Sequence, residues 1–153
     1  HPRNWLTVGP ILGIGNGIPY AMAAKLARPD ARVGLISGDG SFGFAGMEYD
    51  VAVKEKIPFV TVVSTDLYWG IIRHAQIRDY GPGRTFGTDL GMTRYDRVVE
   101  ALGGYGEFVE DPREIRPALQ RAFDAGVPAC VNVPTEFTNP YLADNYGVKG
   151  DLP

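Results

Sequence analysis

Apolar residues collect in four short runs along this chain, and each run has the length of a β-strand. The run at residues 59–63 is continuous and β-branched, which is typical of a strand covered on both faces of a sheet. The runs at 31–36 and 129–133 have the same strand-like character, and 108–109 is shorter. These positions predict four strands, with the run at 129–133 closing the sheet.

Segments with helical character lie between the strands, and residues that start or stop helices bound them. The first segment is rich in Ala, which suits close packing against a sheet, and Pro29 follows it. Gly103 ends a later segment, and the last one has Pro112 in its first turn and Gly126 beyond its end. The predicted helices cover residues 17–27, 46–56, 68–76, 95–102 and 112–125. The alternation predicts an α/β fold with a doubly wound, mainly parallel sheet and helices on both faces.

Length, composition and charge fit one globular domain. The chain has 153 residues, 44% of them hydrophobic, so we expect a single domain over residues 1–153, in which 134–153 form an extended tail. A formal net charge of −3 provides no basic face, which argues against a nucleic-acid partner. The apolar runs are far shorter than the roughly 20 residues that span a bilayer, which argues against membrane insertion.

Cys130 is the only cysteine of the chain. It lies in the apolar run 129–133, where a thiol usually packs in the core, and one cysteine cannot form a disulfide within the chain. We therefore expect Cys130 to be inert and the protein to work in a reducing compartment, the cytoplasm.

Two carboxylates follow two of the predicted strands. Asp39 comes after the run 31–36, and Asp66 comes after 59–63. Parallel strands bring their carboxyl ends to one edge of a sheet, so the two side chains are expected there together, where they can hold a metal beside a phosphate. Gly38 and Gly40 leave the backbone around Asp39 open to an anion. Ser41 is expected to cap the following helix.

The glycines at positions 13, 15 and 17 invite a dinucleotide-binding reading. That motif, G-x-G-x-x-G, needs glycine where this chain has Ile18, and no strand precedes the segment. A generic nucleotide-binding α/β domain is therefore disfavoured.

Three segments together resemble one enzyme family. Residues 12–19 (LGIGNGIP), 38–42 (GDGSF) and 69–74 (WGIIRH) are similar to the diphosphate-binding domain of thiamine-diphosphate-dependent enzymes of the acetolactate synthase-like group. This group also holds 2-hydroxyacyl-CoA lyases, oxalyl-CoA decarboxylases and benzaldehyde lyase-type enzymes. The resemblance covers almost the whole chain and implies the thiamine-diphosphate-binding fold. One departure stands out, because Thr65-Asp66 occupies the position of the family's usual Asn-Asn pair.

The resemblance also implies a set of ligands. Counted from Asp39, the family's metal-binding Asn falls at Asp66 and the next ligand, a backbone carbonyl, at Tyr68, so these three residues are the expected Mg²⁺ ligands. The carbonyl of Leu12 would meet the aminopyrimidine of thiamine diphosphate, and Ile14 would be the wedge that bends it. The other residues assigned to the cofactor are Gly38, Gly40, Ser41, Gly70 and Ile71, with the first N–H groups of the helix after Asp66 directed at the phosphate.

The same comparison indicates the substrate side. Ile72 and His74 are candidate pocket residues, although a structural hydrogen-bonding role for His74 carries equal weight. Some relatives have an acid at position 72 that protonates the product; the aliphatic Ile72 instead fits transfer to a second carbonyl or protonation by water. The expected substrates are 2-oxo acids, as in acetolactate synthases, with acyl-CoA substrates of a 2-hydroxyacyl-CoA lyase or oxalyl-CoA decarboxylase as the alternative.

The resemblance also implies partners for this chain. The family places its catalytic glutamate on a pyrimidine-binding domain, across a subunit contact, so we expect this chain to be the C-terminal piece of a longer enzyme that is at least a homodimer. The glycine-rich stretch 79–92 is expected to be a lid or an interdomain contact. A non-catalytic cofactor-binding or assembly module remains the alternative from another functional class, because the Asn pair is missing.

Overall fold

The fold was obtained as a computed structural model that describes residues 4–7 and 13–137. In chain order its helices and strands are α1 (Gly17–Ala27), β1 (Gly34–Gly38), α2 (Asp39–Ala45), α3 (Glu48–Lys54), β2 (Val60–Thr65), α4 (Gly70–Tyr80), α5 (Tyr95–Ala101), β3 (Tyr105–Phe108), α6 (Ile115–Asp124) and β4 (Ala129–Pro134). Short 3-10 turns occupy Pro82–Arg84 and Pro112–Glu114.

The four strands form one parallel sheet in the order β1-β2-β4-β3. The register of the sheet can be read at Ser64 of β2, which pairs with Gly38 of β1 on one side and Val133 of β4 on the other. The predicted parallel sheet is therefore confirmed. The expectation that 129–133 closes the sheet is wrong, because β4 lies inside it and β3 forms the edge. The apolar β4 is buried from 129 to 132, whereas all four residues of β3 are only half-buried, as an edge position allows.

Helices cover both faces of the sheet, as predicted. Alternate residues of β2 point to opposite sides, so Val63 joins one apolar cluster and Val60 the other. The first cluster includes buried side chains of α1, α2, α3 and α5, for example Tyr49 and Val99. The second cluster is formed by α6, which packs Ala118 and Ala122 on the sheet.

Cys130 belongs to the first cluster and is fully buried. Burial raises the pKa of its thiol well above the ordinary value, so the thiolate is suppressed. The expected core role of Cys130 is confirmed.

Local structure differs from the sequence pattern around α2. The predicted helix 46–56 is shorter, as α3, and an additional helix, α2, starts directly at Asp39. Gly40 and Gly43 in α2 hide its helical pattern because glycine is a poor helix former. The N-cap of α2 is Gly38, so the expectation that Ser41 caps this helix is wrong. Ser41 lies inside α2 instead.

Helix α4 is longer than the predicted segment 68–76 and runs to Tyr80, where Gly81 adopts a positive φ of 89°. None of its residues is buried by the part of the chain that the structure describes. None of the helices within residues 13–137 combines the length and apolar character needed to cross a membrane.

Candidate functional site

Asp39 and Asp66 lie at neighbouring tips of the parallel sheet. Asp39 follows the last residue of β1, Asp66 follows Thr65 at the end of β2, and the two strands are hydrogen-bonded neighbours. The expectation that these carboxylates share one edge is confirmed. Asp39 is 3% exposed, so its charge is largely removed from water and needs partners there.

Two backbone N–H groups donate hydrogen bonds to the carboxylate of Asp39. The Oδ1 of Asp39 accepts from the N–H of Gly40 at 2.8 Å, and its Oδ2 accepts from the N–H of Leu67 at 3.0 Å. The second bond ties the tip of β1 to the loop after β2. Leu67 has a φ of 72°, a left-handed conformation that is costly for a residue with a side chain. The strained residue therefore donates directly to the buried carboxylate.

Asp66 is bound within the same loop. Its Oδ1 accepts from the N–H of Tyr68 at 3.0 Å. Tyr68 also forms an isolated antiparallel bridge with Asp89, in which the hydrogen bonds are made by the flanking residues and not by Tyr68 itself. In such extended backbone the N–H and C=O of one residue face the same side. The carbonyl of Tyr68 is therefore turned toward the side of Asp66.

The electrostatics of Asp39 reflect this crowding. Burial is the main cause that raises the pKa of Asp39, and the nearby charge of Asp66 raises it further, while the N–H groups of Gly40 and Leu67 act against both. Two carboxylates that repel each other at a sheet edge would be stabilised by a cation. In the described ranges 4–7 and 13–137, no three His, Cys, Asp or Glu side chains are grouped to hold a metal. A cation here would use two carboxylates and backbone oxygens, a donor set that suits Mg²⁺.

Residues 88–90, which we call the strap, hold the loop 66–69 in place. The N–H of Leu90 donates to the carbonyl of Leu67 and the N–H of Trp69 to that of Thr88, both at 2.8 Å. The guanidinium of Arg73 links the strap to the loop. It lies 4.2 Å from the centre of the Tyr68 ring and bonds to Thr88 Oγ1 at 3.2 Å. The end of the glycine-rich stretch thus braces the loop.

No local pattern in the sequence indicates the strap, because its bonds join residues far apart in the chain. The prediction of a lid or interdomain contact for 79–92 is not tested by these contacts. Asn132, a polar residue inside the apolar run of β4, is a different case, since a buried amide requires partners and could have been singled out.

A groove opens beside Asp39. Its lining residues come from α2, the loop after β2, the strap and α5: Asp39, Gly40, Gly43, Phe44, Trp69, Leu90 and Tyr95. The turn before α1 reaches the same region, because the N–H of Gly15 donates to Ser41 Oγ at 3.2 Å. The neighbouring Ile14 is 52% exposed, so its side chain is available for contact.

The start of α4 borders the carboxylates on the other side. A Cβ on Gly70 would stand 2.8 Å from Asp66 Oδ2, so glycine lets the helix start approach the carboxylate. Ile71 and Ile72 are mostly exposed, and the ring of His74 stacks on Phe137 with 4.3 Å between centroids. Of the residues expected at the site, only Leu12 lies outside the described part of the chain.

Comparisons with known proteins agree on one family. The family model described as thiamine pyrophosphate enzyme, C-terminal TPP binding domain, matches residues 1–133. An acetolactate synthase large subunit of Mycobacterium tuberculosis is 49% identical over 135 residues, which are 88% of this chain and 24% of the relative. A human 2-hydroxyacyl-CoA lyase 2 is 34% identical over 138 residues, 86% of this chain and 21% of the relative.

A solved structure gives the same result. The thiamine diphosphate-dependent 4-hydroxybenzoylformate decarboxylase of Rhodococcus jostii RHA1 superposes with a TM-score of 0.75 at 29% identity, over 82% of this chain and 24% of that one. The chain therefore spans about a quarter of the length of these relatives.

Proposed function

We propose, from the premise that this chain belongs to the thiamine pyrophosphate enzymes as one of their C-terminal TPP-binding domains, that it holds thiamine diphosphate with Mg²⁺ in an enzyme that makes or breaks a C–C bond beside a carbonyl. The chain is then the C-terminal domain of a longer enzyme. Of the predicted tail 134–153, Pro134 belongs to β4 instead, and residues 138–153 lie outside the described part of the chain. The single observation that carries the proposal is the meeting of Asp39 and Asp66 at one sheet edge, where Asp39 accepts from the N–H of Leu67, the residue after Asp66.

Three groups of this chain are the proposed metal ligands: the carboxylates of Asp39 and Asp66 and the carbonyl of Tyr68. The donor set fits because Mg²⁺ takes about six oxygens and commonly combines one or two carboxylates with phosphate oxygens and water. The raised pKa of Asp39 supports the assignment, since a cation would relieve the repulsion from Asp66 that contributes to it.

The neighbouring residues are proposed to position the cofactor. The first N–H groups of α4, from Gly70 onward, suit a terminal phosphate, and the open backbone of Gly38 and Gly40 with Ser41 suits the same diphosphate. Ile14 and Ile71 offer exposed apolar surface to the rings, and Leu12 would meet the aminopyrimidine. When bound, thiamine diphosphate supplies the nucleophilic carbon and the electron sink for C–C cleavage. The chain's own task is to orient it and exclude water.

The proposed substrates are 2-oxo acids, as for an acetolactate synthase. The acetolactate synthase relative at 49% identity supports this, and so does Ile72, which offers no acid to protonate a product. Ile72 and His74 are the proposed pocket residues. A 2-hydroxyacyl-CoA lyase or oxalyl-CoA decarboxylase-type activity, with an acyl-CoA substrate, is the second candidate, because 2-hydroxyacyl-CoA lyases are 34% identical to this chain.

A pyrimidine-binding domain that carries the catalytic glutamate is the proposed partner, within a homo-oligomer of at least two copies. Exposed apolar side chains near the site support a covering partner: Phe44, Ile71 and Ile72. The buried, inert Cys130, the only cysteine, supports a reducing compartment, and we propose the cytoplasm.

Titration calorimetry tests the proposal on the protein that carries this chain with its pyrimidine-binding domain. We expect thiamine diphosphate to bind when Mg²⁺ is present and pyruvate then to be turned over. Binding that is absent at every Mg²⁺ concentration would overturn the assignment, and binding without turnover of 2-oxo acids or acyl-CoA substrates would favour a non-catalytic module. The Arg113→Met variant, changed at an exposed ion pair remote in sequence from the site, serves as a control that should bind like wild type.

A further inference from the structure

The hydroxyl of Thr65, the residue immediately before Asp66, starts a buried chain of hydrogen bonds. Thr65 Oγ1 donates to Asn132 Oδ1 at 2.6 Å, and both residues are fully buried. Thr65 is the last residue of β2, and Asn132 lies on the neighbouring strand β4. The bond therefore connects two strands directly beneath the loop that carries Asp66.

The direction of this bond is fixed by what lies behind Asn132. The amide nitrogen of Asn132 donates to the carbonyl of Thr93 at 3.1 Å and faces Asp96 Oδ1 at 3.5 Å. Both partners accept only, so the amide oxygen must point to Thr65, whose hydroxyl has to donate. Asp96 is itself held by Arg94, with distances of 2.9 and 2.6 Å. The hydroxyl of Thr65 and the amide nitrogen of Asn132 thus each donate to a buried or half-buried acceptor.

The backbone of Thr65 is anchored as well. Its carbonyl accepts from the N–H of Thr135 at 2.9 Å, so both its side chain and its main chain are bound to β4 or the residue after it. With two fixed contacts, Thr65 sets the direction in which the chain leaves β2. That direction determines where Asp66 stands relative to Asp39.

We propose that Thr65 and Asn132 are positioning residues of the metal site, which act by holding Asp66 in place for Mg²⁺. This rests on the proposed function and extends it to two residues that touch no cofactor. Where the family usually has an Asn pair, this chain has the smaller Thr65, and the buried amide comes from Asn132 on the neighbouring strand. The hydroxyl of Thr65 thereby contributes to the site through the position of Asp66 and not through contact with the cofactor.

Thr61 provides a matched control on the same strand. It is also fully buried, and its hydroxyl has one side-chain partner, the hydroxyl of Tyr49 at 2.7 Å. Thr61 lies four positions before Thr65 on the strand, about 13 Å away at ~3.3 Å per residue. Replacing either Thr by Val keeps the shape and removes one buried hydroxyl, so the two variants differ mainly in their distance from Asp66.

The experiment compares Thr65→Val, Thr61→Val and Thr65→Ser in the protein that carries this chain with its pyrimidine-binding domain. Urea unfolding reports stability, and calorimetric titration with Mg²⁺ at a fixed thiamine diphosphate concentration reports the metal site. We expect both Val variants to unfold at lower urea concentrations than wild type. Only Thr65→Val should lower the affinity for Mg²⁺, by about tenfold for one lost buried hydrogen bond. Thr65→Ser, which keeps the hydroxyl, should restore wild-type binding.

Asn132→Ser removes the amide oxygen that accepts from Thr65, and it should lower the affinity for Mg²⁺ to a similar extent. This second variant keeps the test decisive if Thr65→Val does not fold. Wild-type Mg²⁺ binding by Thr65→Val or Asn132→Ser, or equal weakening by Thr61→Val, would overturn the inference. A wild-type protein that binds neither Mg²⁺ nor thiamine diphosphate would instead overturn the proposed function on which it rests.

Discussion

The indole of Trp69 lies directly on the backbone of Gly40. A Cβ at position 40 would stand 2.6 Å from the ring, closer than van der Waals contact permits. Trp69 also meets Phe44 edge-on, with 5.7 Å between ring centroids, so the indole has little room to move aside. The groove beside Asp39 keeps its shape because residue 40 has no side chain.

Gly40→Ala and Gly43→Ala are therefore expected to have opposite effects within the same helix. At position 40 the added methyl must displace the indole, and overpacking of this kind costs about 1–3 kcal/mol. Position 43 has nothing within 4 Å of an added Cβ, so alanine should stabilise α2 by about 0.5–1 kcal/mol. Urea unfolding of the two variants measures both values. Destabilisation by Gly43→Ala, or none by Gly40→Ala, would contradict this account of the groove.

The two carboxylates are expected to differ in how they respond to substitution. Asp39→Ala removes a proposed metal ligand and the acceptor of the Leu67 N–H. Because even indirect partners of metal ligands contribute 10–100-fold, we expect cofactor binding to fall by more than about 100-fold. Asp66→Asn keeps an oxygen ligand and removes one negative charge near an anionic cofactor. Binding should be preserved or tightened, and its dependence on Mg²⁺ should become less steep.

Titration of thiamine diphosphate at several Mg²⁺ concentrations measures these effects for wild type and both variants. In wild type the apparent affinity should fall steeply as Mg²⁺ is lowered. An affinity that does not depend on Mg²⁺ would rule out the carboxylate site as a metal site.

Arg73 is expected to stabilise the loop 66–69 through the strap. Its guanidinium contacts the Tyr68 ring and bonds to Thr88 and Asp89, so Arg73→Met should loosen the backbone that presents the Tyr68 carbonyl. We expect a loss of about 1 kcal/mol in cofactor binding. Faster hydrogen exchange at the N–H groups of Trp69 and Leu90 would locate the change.

Arg78 on the same helix provides the control. Its ion pair with Asp79 lies on the surface, and no bond joins it to the strap. Arg78→Met should leave cofactor binding and hydrogen exchange of the loop unchanged. A similar effect of the two substitutions would mean that Arg73 acts only through helix α4 as a whole.

The ion pair between Arg94 and the buried Asp96 should make the stability of the fold depend on pH in a defined sense. Burial opposes the charge of Asp96, but the hydrogen bonds and charge of Arg94 outweigh it and hold the pKa of the carboxyl below its ordinary value. Arg97 adds a more distant cation, 3.9 Å from Asp96. A lowered folded-state pKa contributes stability that is complete above the unfolded pKa, about 3.9, and is lost as pH falls through the lower folded value.

Arg94→Met leaves the buried carboxyl without its main partner, so burial then raises its pKa. The variant should be less stable than wild type by about 2 kcal/mol at neutral pH, a value reduced for the partial exposure of Arg94. The difference should begin to shrink as pH falls through the raised pKa of Asp96 in the variant, and it should vanish once pH is below the lowered pKa of Asp96 in wild type. Arg113→Met breaks a pair with Asp111 at the same sequence spacing but on the surface, and it should change stability little at any pH. Unfolding curves from pH 3 to 7 make the comparison.

The sequence predicted those parts of the site that depend on short stretches of chain. Asp39 and Asp66 could be placed together because each follows an apolar run, and parallel strands align their ends. Helix α2 was missed because glycines that admit Trp69 and open the groove also erase the apolar period. The position of β4 inside the sheet was missed because strand order depends on contacts between distant segments.

The supporting residues show the same limit. Thr65 and Asn132 are 67 positions apart, and nothing near either residue indicates the other. Arg73 meets Thr88 and Asp89 only because the strap returns to the loop. The groups that bind could be found locally, whereas the groups that hold them in place could be found only in the folded chain.

Leu67 shows that the loop 66–69 is less stable than a turn of this length could be. The left-handed backbone of Leu67 and the two like charges beside it each make this loop less favourable than a relaxed turn would be. Selection for heat resistance alone would favour glycine at 67 and a neutral residue at 66. The chain instead retains a strained backbone next to two neighbouring carboxylates, and the proposed cation site gives a reason for that loss of stability.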